Sequence, residues 1–340
     1  MKTQHNHFNK PIIQQALLIV ISFFLLVGCR DNNEEKKQEP NAEEQLMLDA
    51  KAMKRLSDRE AIEVVTEIMD FQMPGQIPSG WNTFRYINKS EETHFFVFEK
   101  MPENKTIEDS KAEVFPVFQE AMDLINQGEP DKGFKTFEKL PAWFYDVKFT
   151  GGTGLIAPKS TAETTLYLEP GYYIIECYVK MPNGMFHSVM GMAKEIVVTD
   201  NSSDHEPPKA TMEIALSSEE GIQFDKQNIE AGLQTIAVHF KDQKVYGNYV
   251  GHDLHIAKVE QVADMETLSN WMNWATPEGF KTPVPEGVKF LGGSQEMPEG
   301  STAYFHVLLE PGNYIFVAEV PSPEQKNMLH SFVVTEAPEE

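Results

Sequence analysis

The sequence predicts a mainly β protein built from two tandem antiparallel β-sandwich domains with small helical insertions. A block that contains VKFTGG, STA and LEPGYYIIEC is written a second time as VKFLGG, STA and LEPGNYIFVA. A constant offset of 141 residues, as expected for a duplicated unit, joins the landmarks Gly152 and Gly293, Ser160 and Ser301, and Tyr173 and Tyr314. Short apolar runs separated by turn residues surround each block, a pattern typical of antiparallel sandwiches.

Residues 1–28 have the pattern of a secretory signal. Lys2 and Lys10 precede an apolar run over 11–27. This run is too short, and its flanking residues are wrong, for a membrane span. The run ends in Leu-Val-Gly-Cys, which resembles the bacterial lipobox that makes Cys29 the lipidated first residue. Because several acyl chains anchor stably, this predicts an extracytoplasmic lipoprotein held to a bacterial membrane, with the outer membrane favoured. An ordinary signal peptide followed by a chance cysteine is the alternative.

The charge of the chain is strongly acidic. Lys2 and Lys10 are the only charged residues of the signal, so the formal net charge of -23 becomes -25 after its removal. Such a surface repels nucleic acid and anionic lipid headgroups. We therefore expect no nucleic-acid partner. The predicted lipid on Cys29 implies a membrane contact and places any protein partner in the envelope, without identifying that partner.

Composition sets the predicted domain boundaries. The stretch after Cys29 is polar and charged, as in a solvated tether, and a Ser/Asp/Pro-rich stretch separates the two repeats. The predicted segments are a signal over 1–28, a tether over 29–57, the first domain over 58–200, a linker over 201–209 and the second domain over 210–340.

The first domain is predicted to contain strands and a helical insertion. Thr106 can cap a helix with Asp109 three residues later, and apolar residues follow at helical spacing. Pro116 should kink or split this helix, Gly128 should end it, and Asp131 should cap a second short helix. A Pro/Gly turn is expected over 77–80, and strands are expected over 61–71, 81–88, 94–99 and 195–199.

The second domain repeats this order with a shorter helix. The Gly-Gly pairs of both domains are expected at turns or bulges, and the Pro-Gly pairs at hairpin turns. Strands are expected over 212–216 and 233–240 and in the final segment that ends at 334, with a helix over 265–274.

Three stretches of the first domain carry a family resemblance. IPSGWNTFRYINKSEETHFFVF, LEPGYYIIEC and FHSVMGMAKEIVV occur in this order. They resemble the cupredoxin stretches that hold, respectively, the first His ligand, the Cys ligand, and a His and Met before the last strand. The resemblance covers most of 61–199 and, more loosely, 210–335, and it implies tandem cupredoxin-like domains of the plastocyanin and azurin type.

The resemblance implies a copper site in the first domain. His94 takes the place of the first His ligand, Cys177 of the Cys ligand and His187 of the second His ligand, and Met190 or Met192 takes the place of the axial Met. Two imidazoles, a thiolate and a weak thioether suit copper. A buried Cys and flexible packing Met residues are the structural alternative.

The sequence departs from the family in two respects. Nine residues separate Cys177 from His187, a loop long enough to place His187 elsewhere. In the second domain Ala318 stands where Cys177 stands in the first. A candidate second site there consists of His252, His255 and His330, without a thiolate.

The sequence favours a non-enzymatic role. It contains none of the motifs GxSxG, HExxH, CxxC or CxxCH. The prediction is an envelope-anchored lipoprotein whose two cupredoxin-like domains act as a binding or structural module, with a degenerate copper site in the first. The alternative is a copper-binding electron-transfer or copper-handling protein that uses the first domain.

Overall fold

The computed structural model describes residues 60–227 and 229–336. The predicted signal, the tether and Cys29 lie outside the described residues. The described strands are β1 Ile62–Thr66, β2 Gln76–Asn88, β3 His94–Lys100, β4 Lys148–Ile156, β5 Thr161–Leu168, β6 Gly171–Glu176, β7 Ala193–Ser202, β8 Met212–Ser217, β9 Gly221–Gln223, β10 Gly232–Phe240, β11 Leu254–Val259, β12 Val288–Ser294, β13 Thr302–Leu309, β14 Gly312–Val317 and β15 Leu329–Val334. The described α-helices are α1 Ile107–Asp109, α2 Phe115–Asn126, α3 Pro130–Thr136 and α4 Met265–Trp271.

The seven strands of the first repeat recur in the second, and five of their six pairings recur with them. β1 pairs in parallel with β2, as β8 does with β10. The antiparallel pairs β3–β4, β3–β6, β6–β7 and β2–β5 recur as β11–β12, β11–β14, β14–β15 and β10–β13. The structure therefore confirms the predicted class of mainly β protein with two sandwich repeats and small helical insertions.

Tyr173 and Tyr314 show the duplication at the level of single atoms. Each side chain is 1% exposed. The Tyr173 hydroxyl donates to the Glu169 carbonyl at 2.8 Å, and the Tyr314 hydroxyl donates to the Glu310 carbonyl at 2.9 Å. In both repeats the tyrosine thus satisfies a carbonyl four residues upstream, at the turn before the strand that carries it.

The two repeats are joined by backbone hydrogen bonds and by their core. β4 pairs with β12, and β5 pairs with β13. One cluster of buried apolar side chains contains residues of both repeats, from Phe84 and Ile175 to Ile236 and Phe316. β7 ends at Ser202 and β8 begins at Met212. The predicted boundary over 201–209 stays a prediction.

The turn predicted over 77–80 is instead part of a strand. Residues 76–79 of β2 pair in parallel with β7, whereas residues from Gly80 onward pair with β5. Gly80 has a φ of +89° at the change of partner, a conformation that glycine adopts without a steric penalty. The Pro and Gly residues therefore mark the bend at which one strand passes between sheets, and β2 begins earlier than predicted.

The helical insertion largely follows its sequence signals. Thr106 and Asp109 form the predicted capping box. Pro116 lies in the first turn of α2, which follows a π-helical segment over Ser110–Val114. Gly128 follows α2 with a φ of +82°. The prediction that Asp131 caps α3 was wrong, because Glu129 holds that position and Pro130 is the first helical residue.

Helix α4 ends at Trp271, three residues before the predicted end. The amide of Phe280 donates to the Trp271 carbonyl at 2.8 Å. This tertiary bond gives the last carbonyl a partner outside the helix. Within the described part of the chain, no helix is both long and apolar enough to cross a membrane.

Candidate metal centre

The sheet topology brings two of the predicted ligands to one edge. His94 is the first residue of β3, and Cys177 directly follows β6. β3 and β6 are antiparallel neighbours, with Val97 opposite Glu176. The start of one strand therefore lies beside the end of the other, and His94 and Cys177 come together although they are far apart in the sequence.

Three ligand atoms converge at this edge. His94 Nδ1 and His187 Nδ1 lie 3.1 Å apart. Cys177 Sγ lies 3.8 Å from His94 Nδ1 and 3.7 Å from His187 Nδ1. Within the described residues, these three side chains are the one group of three or more His, Cys, Asp or Glu residues with ligand atoms within 4.8 Å of one another.

The dimensions of this triangle fit a metal ion. An ion about 2.0–2.3 Å from nitrogen and sulfur ligands holds those ligands about 3–4 Å from one another. The observed separations of 3.1–3.8 Å lie in this range. The donor set of two imidazoles and one thiolate is the trigonal set of blue-copper sites.

The long loop after Cys177 folds back on itself. The amide of Met181 donates to the Met185 carbonyl at 2.9 Å, and the amide of His187 donates to the Val179 carbonyl at 2.9 Å. The loop therefore forms its own hairpin, as its length allows, yet this hairpin returns His187 to the cysteine. The extra residues lengthen the connection without separating the two ligands.

The second repeat holds this loop in place. The Lys180 amide donates to the Phe280 carbonyl at 2.7 Å, and the Thr282 amide donates to the Lys180 carbonyl at 2.9 Å. The buried Lys180 Nζ donates to the carbonyls of Trp274 at 2.8 Å and Thr276 at 2.6 Å. The second repeat is thus a structural support for the loop that carries His187.

Burial sets the protonation of the three candidate ligands. Burial lowers the pKa of His94 to about 3, and burial and the neighbouring His94 lower the pKa of His187 to about 2. Burial raises the pKa of the Cys177 thiol to about 12. At neutral pH the imidazoles are therefore uncharged, the form that binds metal, whereas the thiol must lose a proton first.

The two candidate axial methionines differ in burial. Met192 is fully buried, its carbonyl accepts from the Cys177 amide at 3.1 Å, and its amide donates to the His187 carbonyl at 2.9 Å. Met190 is 43% exposed. Met192 is therefore the buried methionine, and its backbone is hydrogen-bonded to two of the candidate ligands.

The histidines of the second repeat each engage other partners. His252 Nε2 lies 2.9 Å from the Asp242 carbonyl oxygen. His255 Nδ1 accepts from the Leu155 amide at 3.0 Å, and its Nε2 lies 2.6 Å from Asp253 Oδ2. His330 Nδ1 lies 2.9 Å from Lys226 Nζ. In the part of the chain that the structure describes, these histidines belong to no cluster of potential metal ligands.

Ala318 occupies the position equivalent to Cys177 and is fully buried. The second repeat keeps the strand framework, but a methyl group packs at this edge in place of a thiol. The sequence comparison of the repeats already indicated this difference.

Two further groups beside the cluster were not singled out by the sequence. One is Lys180. The other is the carboxyl pair of Glu99 on β3 and Glu176 on β6, whose side chains are 6% and 8% exposed. Burial, and then the charge of Glu176, hold the pKa of Glu99 well above its usual range, and burial raises the pKa of Glu176 to about 7. Their only sequence signal is an acidic residue at the end of an apolar strand.

Comparisons with solved structures return copper proteins. An auracyanin of Roseiflexus castenholzii is 24% identical, with a TM-score of 0.26, over 42% of this chain and 98% of its own. The copper nitrite reductase of Nitrosomonas europaea is 14% identical, with a TM-score of 0.21, over 83% of this chain and 96% of its own. The copper nitrite reductase of Thermus scotoductus is 13% identical, with a TM-score of 0.21, over 83% of this chain and 63% of its own.

No protein-family model and no curated protein matches the sequence. Two of these neighbours are named as nitrite reductases, which are enzymes, whereas the sequence favours a non-enzymatic role. Because every TM-score is 0.26 or lower among the three neighbours described above, the metal site of this chain is judged on its own residues.

Proposed function

We propose that the first repeat binds one copper ion and that the chain is an electron carrier rather than an enzyme. The observation that carries this proposal is the convergence of His94 Nδ1, Cys177 Sγ and His187 Nδ1 within 3.1–3.8 Å. Copper bound by such ligands supplies one-electron exchange between its two oxidation states. His94, Cys177 and His187 would hold the ion, with the buried Met192 as the nearby thioether.

Burial of the candidate ligands favours electron transfer over chemistry on a bound substrate. His94, Cys177, His187 and Met192 are all fully buried. A substrate would therefore have no open route to an ion held among them, whereas an electron needs only proximity. The loop around His187 exposes Met185, Val189 and Met190 by 38–43%, and this small apolar patch suits a transient protein partner.

A metal-free binding module is the second candidate. His94 Nε2 and His187 Nε2 are buried and have no hydrogen-bond partner among the described residues. Most metal-bound histidines donate their second ring N–H to an acceptor. The absence of such acceptors here is the observation that favours a degenerate site, as the sequence prediction holds.

Copper titration separates these candidates. With the Cys29→Ser chain, kept soluble by loss of the lipidation site, we expect one copper per chain and an intense visible thiolate-to-copper absorption band. Cys177→Ala should abolish the band, whereas His330→Gln in the second repeat should keep it. Absence of both bound copper and the band in the Cys29→Ser chain would favour the metal-free module.

The pH dependence of copper affinity provides a second readout of the same site. Only the thiol, with its pKa of about 12, must release a proton near neutral pH, because the imidazoles have pKa values of about 3 and 2. The apparent affinity should therefore rise about tenfold per pH unit between pH 6 and 8. A slope near zero would exclude Cys177 as a ligand.

We further propose that a lipid on Cys29 holds the chain at the outside of a bacterial membrane, with the outer membrane favoured. The support is the Leu-Val-Gly-Cys sequence after an apolar run. Cys29→Ser should move the protein from the membrane fraction to the soluble fraction, whereas Cys177→Ala should leave it membrane-bound. A Cys29→Ser protein that stays in the membrane fraction would contradict the lipid anchor.

A further inference from the structure

A cavity of about 60 Å³ lies beside the candidate metal centre, between the helical insertion and the second repeat. Its wall is largely aromatic and includes Phe115, Phe118, Trp143, Phe144, Tyr178 and Trp274. Val189 and Ser188, next to His187 in the chain, also line it. This volume has room for about four water-sized groups, so a ligand of four or five non-hydrogen atoms fits.

The carboxyl pair of Glu99 and Glu176 lies on the wall of this cavity. Glu176 is 8% exposed, and its Oε2 is a buried atom without a hydrogen-bond partner among the described residues. No Lys, Arg or His residue of the described chain lines the cavity. Glu99, whose pKa is held well above its usual range, hydrogen-bonds to the Glu176 carboxylate. Glu176 Oε2 remains as the acceptor without a partner among the described residues.

The strand framework does not require these two acids. The pairing of Val97 with Glu176 on β3 and β6 corresponds to the pairing of His255 with Val317 on β11 and β14. In the same register, Ala257 stands at the position of Glu99, and both Ala257 and Val317 are fully buried. Since burying carboxyl groups costs free energy, packing of the strands alone does not account for the pair.

We propose that this cavity binds a small organic ammonium ion, with one N–H directed at Glu176 and a short apolar arm against the aromatic wall. Aromatic faces attract cations, and a carboxylate is the acceptor that an ammonium N–H prefers. The net charge of -23 adds a field that attracts cations to the protein. The proposal does not depend on copper, because His94, Cys177 and His187 do not line the cavity.

Propylammonium, with 1-propanol as its neutral counterpart, tests the proposal in the Cys29→Ser chain. We expect propylammonium to bind with a dissociation constant on the order of 1 mM and 1-propanol at least tenfold more weakly. The indole N–H signals of Trp143 and Trp274 should shift in the NMR spectrum during the titration. Those of Trp81 and Trp271, which do not line the cavity, should stay in place.

Variants of the carboxylate complete the test. Glu176→Gln should weaken propylammonium binding at least tenfold, whereas Glu195→Gln, an exposed carboxylate on β7, should not change it. Glu176→Val, which installs the residue of the second repeat, provides a folded variant if the glutamine variant misfolds. Equal binding of propylammonium and 1-propanol, unchanged binding in both Glu176 variants, or no shift of Trp143 and Trp274 would each overturn the proposal.

Discussion

Gly152→Ala and Gly293→Ala are each expected to destabilise the protein by about 3 kcal/mol or more. A Cβ atom at Gly152 would lie 1.8 Å from the Phe96 carbonyl oxygen, and one at Gly293 would lie 2.0 Å from the Leu254 carbonyl oxygen. Both oxygens belong to the backbone of the paired strand. Neither can move aside without breaking the ladder, so the two repeats should respond alike.

Urea unfolding of four variants measures this effect. Gly75→Ala and Gly247→Ala are the controls, because a Cβ atom at either position meets no atom within 4 Å and neither has a positive φ. These controls should unfold at or slightly above the wild-type midpoint, since alanine restricts the unfolded chain. A wild-type midpoint for Gly152→Ala or Gly293→Ala would contradict the close approach of the strands in that repeat.

The duplicated frame was predictable because each landmark has a local physical role. Tyr173 and Tyr314 donate to a carbonyl four residues away, and Gly152 and Gly293 allow a neighbouring strand to approach. Such roles are fixed by a few adjacent residues, so the sequence pattern is enough to recognise them. The same locality explains why the capping box of Thr106 was predicted correctly.

The bend in β2 could not be predicted in the same way. Pro78 and Gly80 are typical of turns, yet here the strand continues through them and changes partner from β7 to β5. Those partners lie about 80–120 residues further along the chain. Tertiary strand pairing therefore overrode the local turn propensity of Pro78 and Gly80, as is common in sheets.

The position of His187 depended on contacts that the spacing does not encode. The sequence left open whether nine residues would carry it away from Cys177. Hydrogen bonds from Lys180 to Phe280, Trp274 and Thr276, about 100 residues away, fix the loop. A spacing rule from short cupredoxin loops cannot include such a support, because it comes from the other repeat.

The order of residues does not predict which partners the histidines of the second repeat contact. In the strand register that makes His255 equivalent to Val97, His252 stands at the position of His94. Its Nε2 nevertheless lies beside the Asp242 carbonyl. Because Ala318 supplies no thiolate, the histidines of the second repeat lack the third ligand of a metal site. Equivalent sequence positions thus share a strand register while their side chains take different partners.

Lys180→Met is expected to remove a pH-dependent part of the stability. Burial lowers the pKa of Lys180 to about 7, from an ordinary value of 10.5. The folded protein therefore binds this proton less tightly than the unfolded chain does. The contribution of Lys180 is fully present above about pH 10.5, falls by up to about 1.4 kcal/mol per pH unit as the pH is lowered, and levels off below pH 7.

The free energy of unfolding of wild type should exceed that of Lys180→Met at pH 10, and this difference should shrink as the pH is lowered to 7. Near pH 10 the uncharged amine supplies donors to two buried carbonyls, and their loss should cost about 2 kcal/mol or more. Lys139→Met removes an exposed ion pair with Glu120 on the same insertion and should change the free energy of unfolding by less than about 1 kcal/mol at either pH.

The difference in free energy of unfolding between wild type and Lys180→Met isolates the lysine. Other buried groups, such as Glu296 with its pKa of about 8, titrate in the same pH range in both proteins, so their contributions cancel. Urea unfolding at pH 7, 8, 9 and 10 gives that difference directly. A difference that stays constant with pH would mean that Lys180 keeps its proton in the folded state. The loop would then be held by a buried ammonium ion.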